Sequence, residues 1–221
     1  MRGNSFVSVC LASVVLGLAS AGEASELQVL DQDGEPLPRL VLMIDGVPPA
    51  STGPYVMDQV SRRFVPRVLV VPSGSEVTFP NSDDVRHHVY SFSPAKTFEL
   101  SLFAGTDAPP VILSQPGVVV LGCNIHDSMV GYIVVTDSPR FAISDGQGNV
   151  QLPALPAGRW PVSWWHPQLA DQPPQPLGEL DLTQLQQLEL PISYAPLAAS
   201  QDDTPSLLRR YGPGGGGTDG Y

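Results

Sequence analysis

The chain has 221 residues, with 22 Asp or Glu against 11 Lys or Arg and a formal charge of −11. So acidic a surface opposes binding to nucleic acid or anionic membranes and favours basic or cationic partners. Proline (24) and glycine (21) are spread along the chain, and no segment carries a convincing apolar repeat at i, i+3, i+4 and i+7, which argues against a helical protein.

The first residues read as an export signal. A short polar start containing Arg2 precedes an apolar run, residues 6–18, that falls short of the roughly 20 residues a membrane span requires. Small residues follow, so cleavage is expected after Ala21, or alternatively after Ala24. No later segment is apolar for long enough to cross a bilayer. The mature chain is therefore expected to be exported, periplasmic and not membrane-embedded. Removal of the leader takes away Cys10 and leaves Cys123 as the one cysteine of the mature chain. A lone thiol cannot form an internal disulfide, so an exported protein that keeps one implies intermolecular pairing or a special chemical role.

Short β-branched runs separated by turns predict strands at 27–30 and 40–44, joined by the turn 31–34. Strands at 67–71 and 76–79 flank the tight turn 72–75, and 88–93, 97–102, 117–121 and 130–136 follow. These strands, within 26–137, are enough for one two-sheet sandwich with its own core. Residues 137–139 read as a boundary. A smaller sandwich is expected over 140–195, with strands at 140–144, 149–152 and 160–166 and turns at 145–148 and 153–158. Residues 182–190 come nearest to a helical pattern, against Pro191. From 198 to 221 the chain turns polar and Gly-rich, and a disordered tail is expected.

The densest chemistry lies in GVVVLGCNIHDSMVGYIVV, residues 117–135. Cys123, His126 and Met129 occupy the turn between two apolar strands at the spacing C-x2-H-x2-M. Alone, Met129 would read as core packing and His126 as an ordinary loop histidine. Together, thiolate, imidazole and thioether suit copper better than zinc, which more often recruits further cysteines or carboxylates. A His2Cys set with a weak axial methionine is the electron-transfer copper arrangement, so a second histidine is needed. His87, His88 and His166 are the remaining candidates. Alternation puts His87 with Val89 and Ser91 on one strand face and His88 with Tyr90 and Phe92 on the other. Both faces carry apolar residues, so alternation leaves the choice open.

VTFPNSDDVRHHVYSF (77–92) and GCNIHDSMVGYIVV (122–135) together resemble the cupredoxins, the amicyanin- and plastocyanin-like type 1 blue copper proteins. The resemblance covers roughly 27–137 and extends to exported proteins labelled methylamine utilization protein. It implies a Greek-key β-sandwich with a copper cofactor. The family pattern V-P-H-x-V falls on Val85 to Val89, which makes His87 the first histidine ligand beside Cys123, His126 and Met129. His88 stands where the family often has a bracing asparagine, a role that Asn81 or Asn124 could take, and Ile125 replaces a common proline. The resemblance also makes His126 the more exposed ligand and the electron port.

FAISDGQGNVQLPALPAGRWPVSWWHP (141–167) resembles the small β-sandwiches of the carboxypeptidase regulatory-like type. Its tryptophans, Trp160, Trp164 and Trp165, read either as a recognition surface or as packing between domains, and His166 reads as structural. The leading expectation is a monomeric, periplasmic one-electron carrier whose partner is a cytochrome or an oxidoreductase. The alternatives are a copper delivery or storage protein without electron transfer, and a metal-free interaction module. No enzyme is expected: the chain has no spaced nucleophile–base pair or phosphate loop, and four histidines are too few for a multicopper oxidase.

Overall fold

The computed structural model describes residues 26–46, 53–106, 108–152 and 154–194. The expected export signal, its cleavage at Ala21 and the expected tail 198–221 lie outside the described residues. The strands begin with β1 (Glu26–Leu30), β2 (Val41–Ile44), β3 (Tyr55–Val56), β4 (Asp58–Val60) and β5 (Arg63–Val65). Next come β6 (Val68–Pro72), β7 (Ser75–Thr78), β8 (His87–Ser93), β9 (Lys96–Phe103), β10 (Val111–Leu113), β11 (Gly117–Cys123) and β12 (Val130–Thr136). The last five are β13 (Arg140–Ile143), β14 (Asn149–Gln151), β15 (Trp160–Trp165), β16 (Gln175–Leu180) and β17 (Gln187–Glu189). Among the described residues the helical content is a single 3-10 turn, Pro167–Leu169, and no helix is long and apolar enough to cross a membrane.

Pairing gathers the strands into a five-stranded sheet, β6-β12-β11-β8-β9, and a four-stranded sheet, β13-β2-β15-β16. Two three-stranded sheets, β10-β7-β3 and β14-β1-β17, and the hairpin β4-β5 complete the fold. Side-chain alternation stacks these sheets. On β11, Val119, Leu121 and Cys123 turn into a core shared with Val77, Val111 and Leu113 of the β10-β7-β3 sheet. Val118 and Val120 turn the opposite way and meet Val41, Met43 and Trp165 of the four-stranded sheet. On β2 the pattern repeats, with Leu42 and Ile44 in a third core beside Leu27, Val29 and Val150. Burying one such side chain contributes roughly 1.5–3 kcal/mol relative to leaving it exposed. The uninterrupted apolar runs of β2, β6, β11 and β12 therefore mark strands with both faces covered.

The first two strands pair differently from the order of the chain. Sequence proximity groups them with the strands that end at 137, but β1 pairs with β14 and β17, and β2 pairs with β13 and β15. The physical reason is coverage: all four residues of β2 are buried, and only a central position between two cores satisfies them. The sequence also passes over β3, β4, β5, β10, β16 and β17, which are mostly two or three residues long. Within 182–190 the chain makes a turn followed by β17, with no helix. Trp164 and Trp165 are buried in separate cores, and Trp165 packs against Tyr132 with the rings tilted and their centroids 5.3 Å apart, so Trp165 joins the two larger sheets.

Local turn chemistry supports the layers. Asp145 accepts hydrogen bonds from the Gln147 and Asn149 amides, closing the turn into β14. There Gly148 has a φ of +78°, and a Cβ would lie 2.5 Å from the Val29 carbonyl oxygen, so only glycine fits. His166 is buried: its Nε2 lies 3.1 Å from the Pro38 carbonyl, its Nδ1 accepts from the Gln168 amide, and its ring meets Tyr194 edge-on.

Burial depresses the His166 pKa to about 4, assisted by the charge of Arg39 and opposed by the hydrogen bond to Pro38. The unfolded chain takes up a proton near pH ~6.5 that the folded chain refuses. The His166 share of the stability of the metal-free protein, up to about 3 kcal/mol, is therefore expected to be lost as pH drops from ~6.5 towards ~4, and to change no further below. Urea denaturation across that range should show a slope that His166→Asn flattens.

A second expectation concerns the outer face of the five-stranded sheet. Gly122 pairs with Tyr90, and a Cβ on Gly122 would lie 2.6 Å from Tyr90 Cζ. Gly122→Ala should cost about 1–3 kcal/mol as overpacking. Adding Tyr90→Ala should recover much of that loss in a double-mutant cycle, whereas strict additivity would show that the ring is not the obstacle.

Candidate metal centre

β8 and β11 are antiparallel neighbours, with Cys123 opposite Val89. Cys123 is the last inward position of β11 and is 4% exposed. His87 opens β8 on the same inward side and is fully buried. The turn after β11 brings back His126, half-buried, and the Met129 amide donates to the His126 carbonyl at 2.9 Å. The Met129 side chain is buried in the core that contains Cys123.

Three donor-type atoms converge. Cys123 Sγ lies 3.7 Å from His87 Nδ1 and 3.9 Å from His126 Nδ1, and all three fall within 4.8 Å of one another. The two imidazole rings are tilted, with centroids 5.0 Å apart. Donors held in a plane about 2.0–2.3 Å from one ion stand about 3.5–4 Å apart, so the spacing of sulfur and nitrogen fits a single small cation. Among the described residues this is the one cluster of at least three His, Cys, Asp or Glu side chains that could hold a metal ion. A donor set of one thiol and two imidazoles suits a soft or borderline metal ion.

The neighbouring histidine takes no part. His88 turns to the opposite face, where its Nε2 lies 2.9 Å from Glu99 Oε1, out of line for a hydrogen bond, and its ring faces the edge of Tyr90. At that point β9 sets two residues, Ser101 and Leu102, against the single His88, because His87 pairs with Phe103 and Val89 with Leu100. This bulge lets His87 stay inward while β9 remains paired.

Of the two candidate bracing asparagines, Asn81 is buried and Asn124 is exposed on the turn. Asn81 Nδ2 donates to the carbonyls of Val85 and Phe103, both at 2.9 Å, and its Oδ1 accepts from the Asp83 amide. Its backbone also exchanges two hydrogen bonds with Gly105. Asn81 thus pins the loop that delivers His87.

Sequence reasoning passed over Asp83. Its Oδ2 lies 2.8 Å from His87 Nε2 and accepts from the Arg62 amide at 2.7 Å, while Oδ1 accepts from the Ser61 amide at 2.7 Å. Burial works to raise its pKa, but hydrogen bonds from the Arg62 amide, His87 and the Ser61 amide prevail and leave it lowered. The one available signal was a carboxylate four residues before a candidate ligand in SDDVRHH.

No family model matches the chain, and no curated protein matches it. Solved structures do. The Cu-containing nitrite reductase (NirK) from Thermus scotoductus SA-01 is 25% identical over 41% of this chain, with a TM-score of 0.36. The match takes in only 24% of that enzyme's length. An oxidized single-site mutant of amicyanin is 19% identical, with 43% of this chain and 98% of that one covered and a TM-score of 0.35. A purple cupredoxin from Nitrosopumilus maritimus is 22% identical over 37% of this chain and 99% of its own, with a TM-score of 0.33.

Proposed function

We propose that the chain is a periplasmic one-electron carrier with a type 1 copper site in a cupredoxin-like sandwich. The observation that carries this reading is the convergence of Cys123, His87 and His126 on one point, with Met129 buried in the same core as Cys123. Copper bound there supplies a Cu(I)/Cu(II) couple.

The protein residues have distinct tasks. Cys123 would hold copper through its thiolate as the strongest donor, His87 and His126 through Nδ1, and Met129 would add a weak thioether donor. The strands fix the directions of Cys123 and His87, so the donors keep their places when the charge at the site changes. That rigidity suits electron transfer, in which every rearrangement adds to the barrier. His126 is half-buried and follows Ile125, which is 42% exposed, so this edge is the expected contact with a redox protein. The chain is taken to act as a monomer, delivered by cleavage after Ala21.

Two units are proposed: the metal-site strands of 53–137, and a second sandwich made of 26–46 together with 140–194, of the carboxypeptidase regulatory-like type. The second sandwich is read as packing support, because its four-stranded sheet covers the outer face of β6, β12 and β11.

The mature chain loaded with copper should show an intense visible thiolate-to-copper band and an EPR signal with small copper hyperfine splitting. Cys123→Ser should abolish the band. A colourless copper-loaded protein would sink the reading. Fast metal exchange without a reversible redox wave would favour metal delivery instead.

A further inference from the structure

We propose that Asp83 is the positioning residue for His87, and that it acts by sharing one carboxylate between that ring and the tip of the β4–β5 hairpin. The part of this inference that concerns metal affinity rests on the copper reading; the part that concerns the ring does not.

Three donors meet the carboxylate. The Ser61 amide reaches Oδ1, and the Arg62 amide and His87 Nε2 reach Oδ2, all within 2.8 Å. An ionised carboxylate only accepts hydrogen bonds, so Nε2 has to carry the ring proton. A neutral imidazole has one N–H, which leaves the Nδ1 lone pair free and facing Cys123 Sγ at 3.7 Å. The donor atom is thereby selected before any metal arrives. The carboxylate is itself held, because the Asp83 amide donates to Asn81 Oδ1 at 3.0 Å.

The same group stabilises an unusual turn. Ser61 and Arg62 have φ values of 51° and 58°, a region that non-glycine residues seldom occupy. Asp83 gives both of their amides an acceptor, and Asp58 adds bonds from the hairpin to the amide and hydroxyl of Ser82. Ring orientation and hairpin tip thus depend on one side chain. A cation on Nδ1 makes the Nε2–H more acidic and tightens its bond to Oδ2, which weakens the competing bond from the Arg62 amide. The hairpin tip should therefore register metal loading.

Asp83→Asn separates the two duties. An amide has one accepting oxygen and one donating NH2, so it cannot satisfy all three donors. It either places its NH2 where Oδ2 stood, which drives the ring proton to Nδ1 and leaves the Arg62 amide without an acceptor, or places it where Oδ1 stood and leaves the Ser61 amide without one. The test uses the mature chain, first metal-free in mildly alkaline buffer and then loaded with Cu(I). Long-range 1H–15N spectra of the metal-free wild type should place the His87 proton on Nε2, and Cu(I) should shift the Arg62 amide. Asp83→Asn should either move that proton to Nδ1 and speed amide exchange at Arg62, or speed exchange at Ser61, and lower Cu(I) affinity in chelator competition by about 10–100-fold.

A wild-type proton on Nδ1 overturns the proposal, and this result needs no folded variant. An Asp83→Asn protein with unchanged tautomer, hairpin exchange and Cu(I) affinity overturns it too. A wild type that binds no Cu(I) but keeps the proton on Nε2 sinks the copper reading while supporting the positioning role.

Discussion

A strand that is apolar on both faces has to be covered twice, and the strands around the candidate metal centre obey that constraint. β11 and β12 sit in the middle of the five-stranded sheet, with Val119, Leu121, Ile133 and Val135 towards one core and Val118 and Val134 towards another. Cys123 inherits its direction from this arrangement as the last inward position of β11. A residue at the end of a doubly covered strand has little freedom to turn. The thiol is therefore aimed by hydrophobic packing, and its polar contacts are with His87 and His126 Nδ1.

The histidine side of the centre is organised differently. His87 starts its strand and depends on a polar loop, so its position comes from hydrogen bonds. Asn81 ties that loop to the carbonyls of Val85 and Phe103. In a buried setting such bonds matter chiefly because leaving these groups unpaired costs about 1–3 kcal/mol each. One donor is thus held by apolar packing and another by a satisfied polar network, and the two meet at 3.7 Å.

Most of the strands that carry the donors are legible in the residues, because Val-rich runs and the C-x2-H-x2-M spacing are local signals. The choice between His87 and His88 is not legible from alternation, since Tyr90 and Phe92 make the outer face as apolar as the inner one. Packing resolves it: Tyr90 lies across Gly122 outside the sheet, and Val89 sits beside Cys123 within it. The β4–β5 hairpin escapes notice for another reason. Its tip, Ser61-Arg62, lacks the Gly or Asn that marks such turns, and the acceptor that stabilises it is Asp83, about twenty residues further on. Short-range turn chemistry cannot reveal a turn whose partner is distant.

The pairing of β2 with β13, Ile44 opposite Arg140, has a topological consequence. The metal-site strands leave the four-stranded sheet at one of its strands and return at the strand next to it. On the proposed division they are a guest inserted into a host sandwich, and the guest's two ends are held side by side by the β2–β13 hydrogen bonds. Closing a long loop costs entropy that grows only slowly with its length, and the β2–β13 pairing holds the two ends of this one together. The host's sheet then supplies the wall against which β6, β11 and β12 pack. The candidate metal centre thus lies on strands whose flanking strands, β1, β2 and β13 to β17, pair with one another outside it.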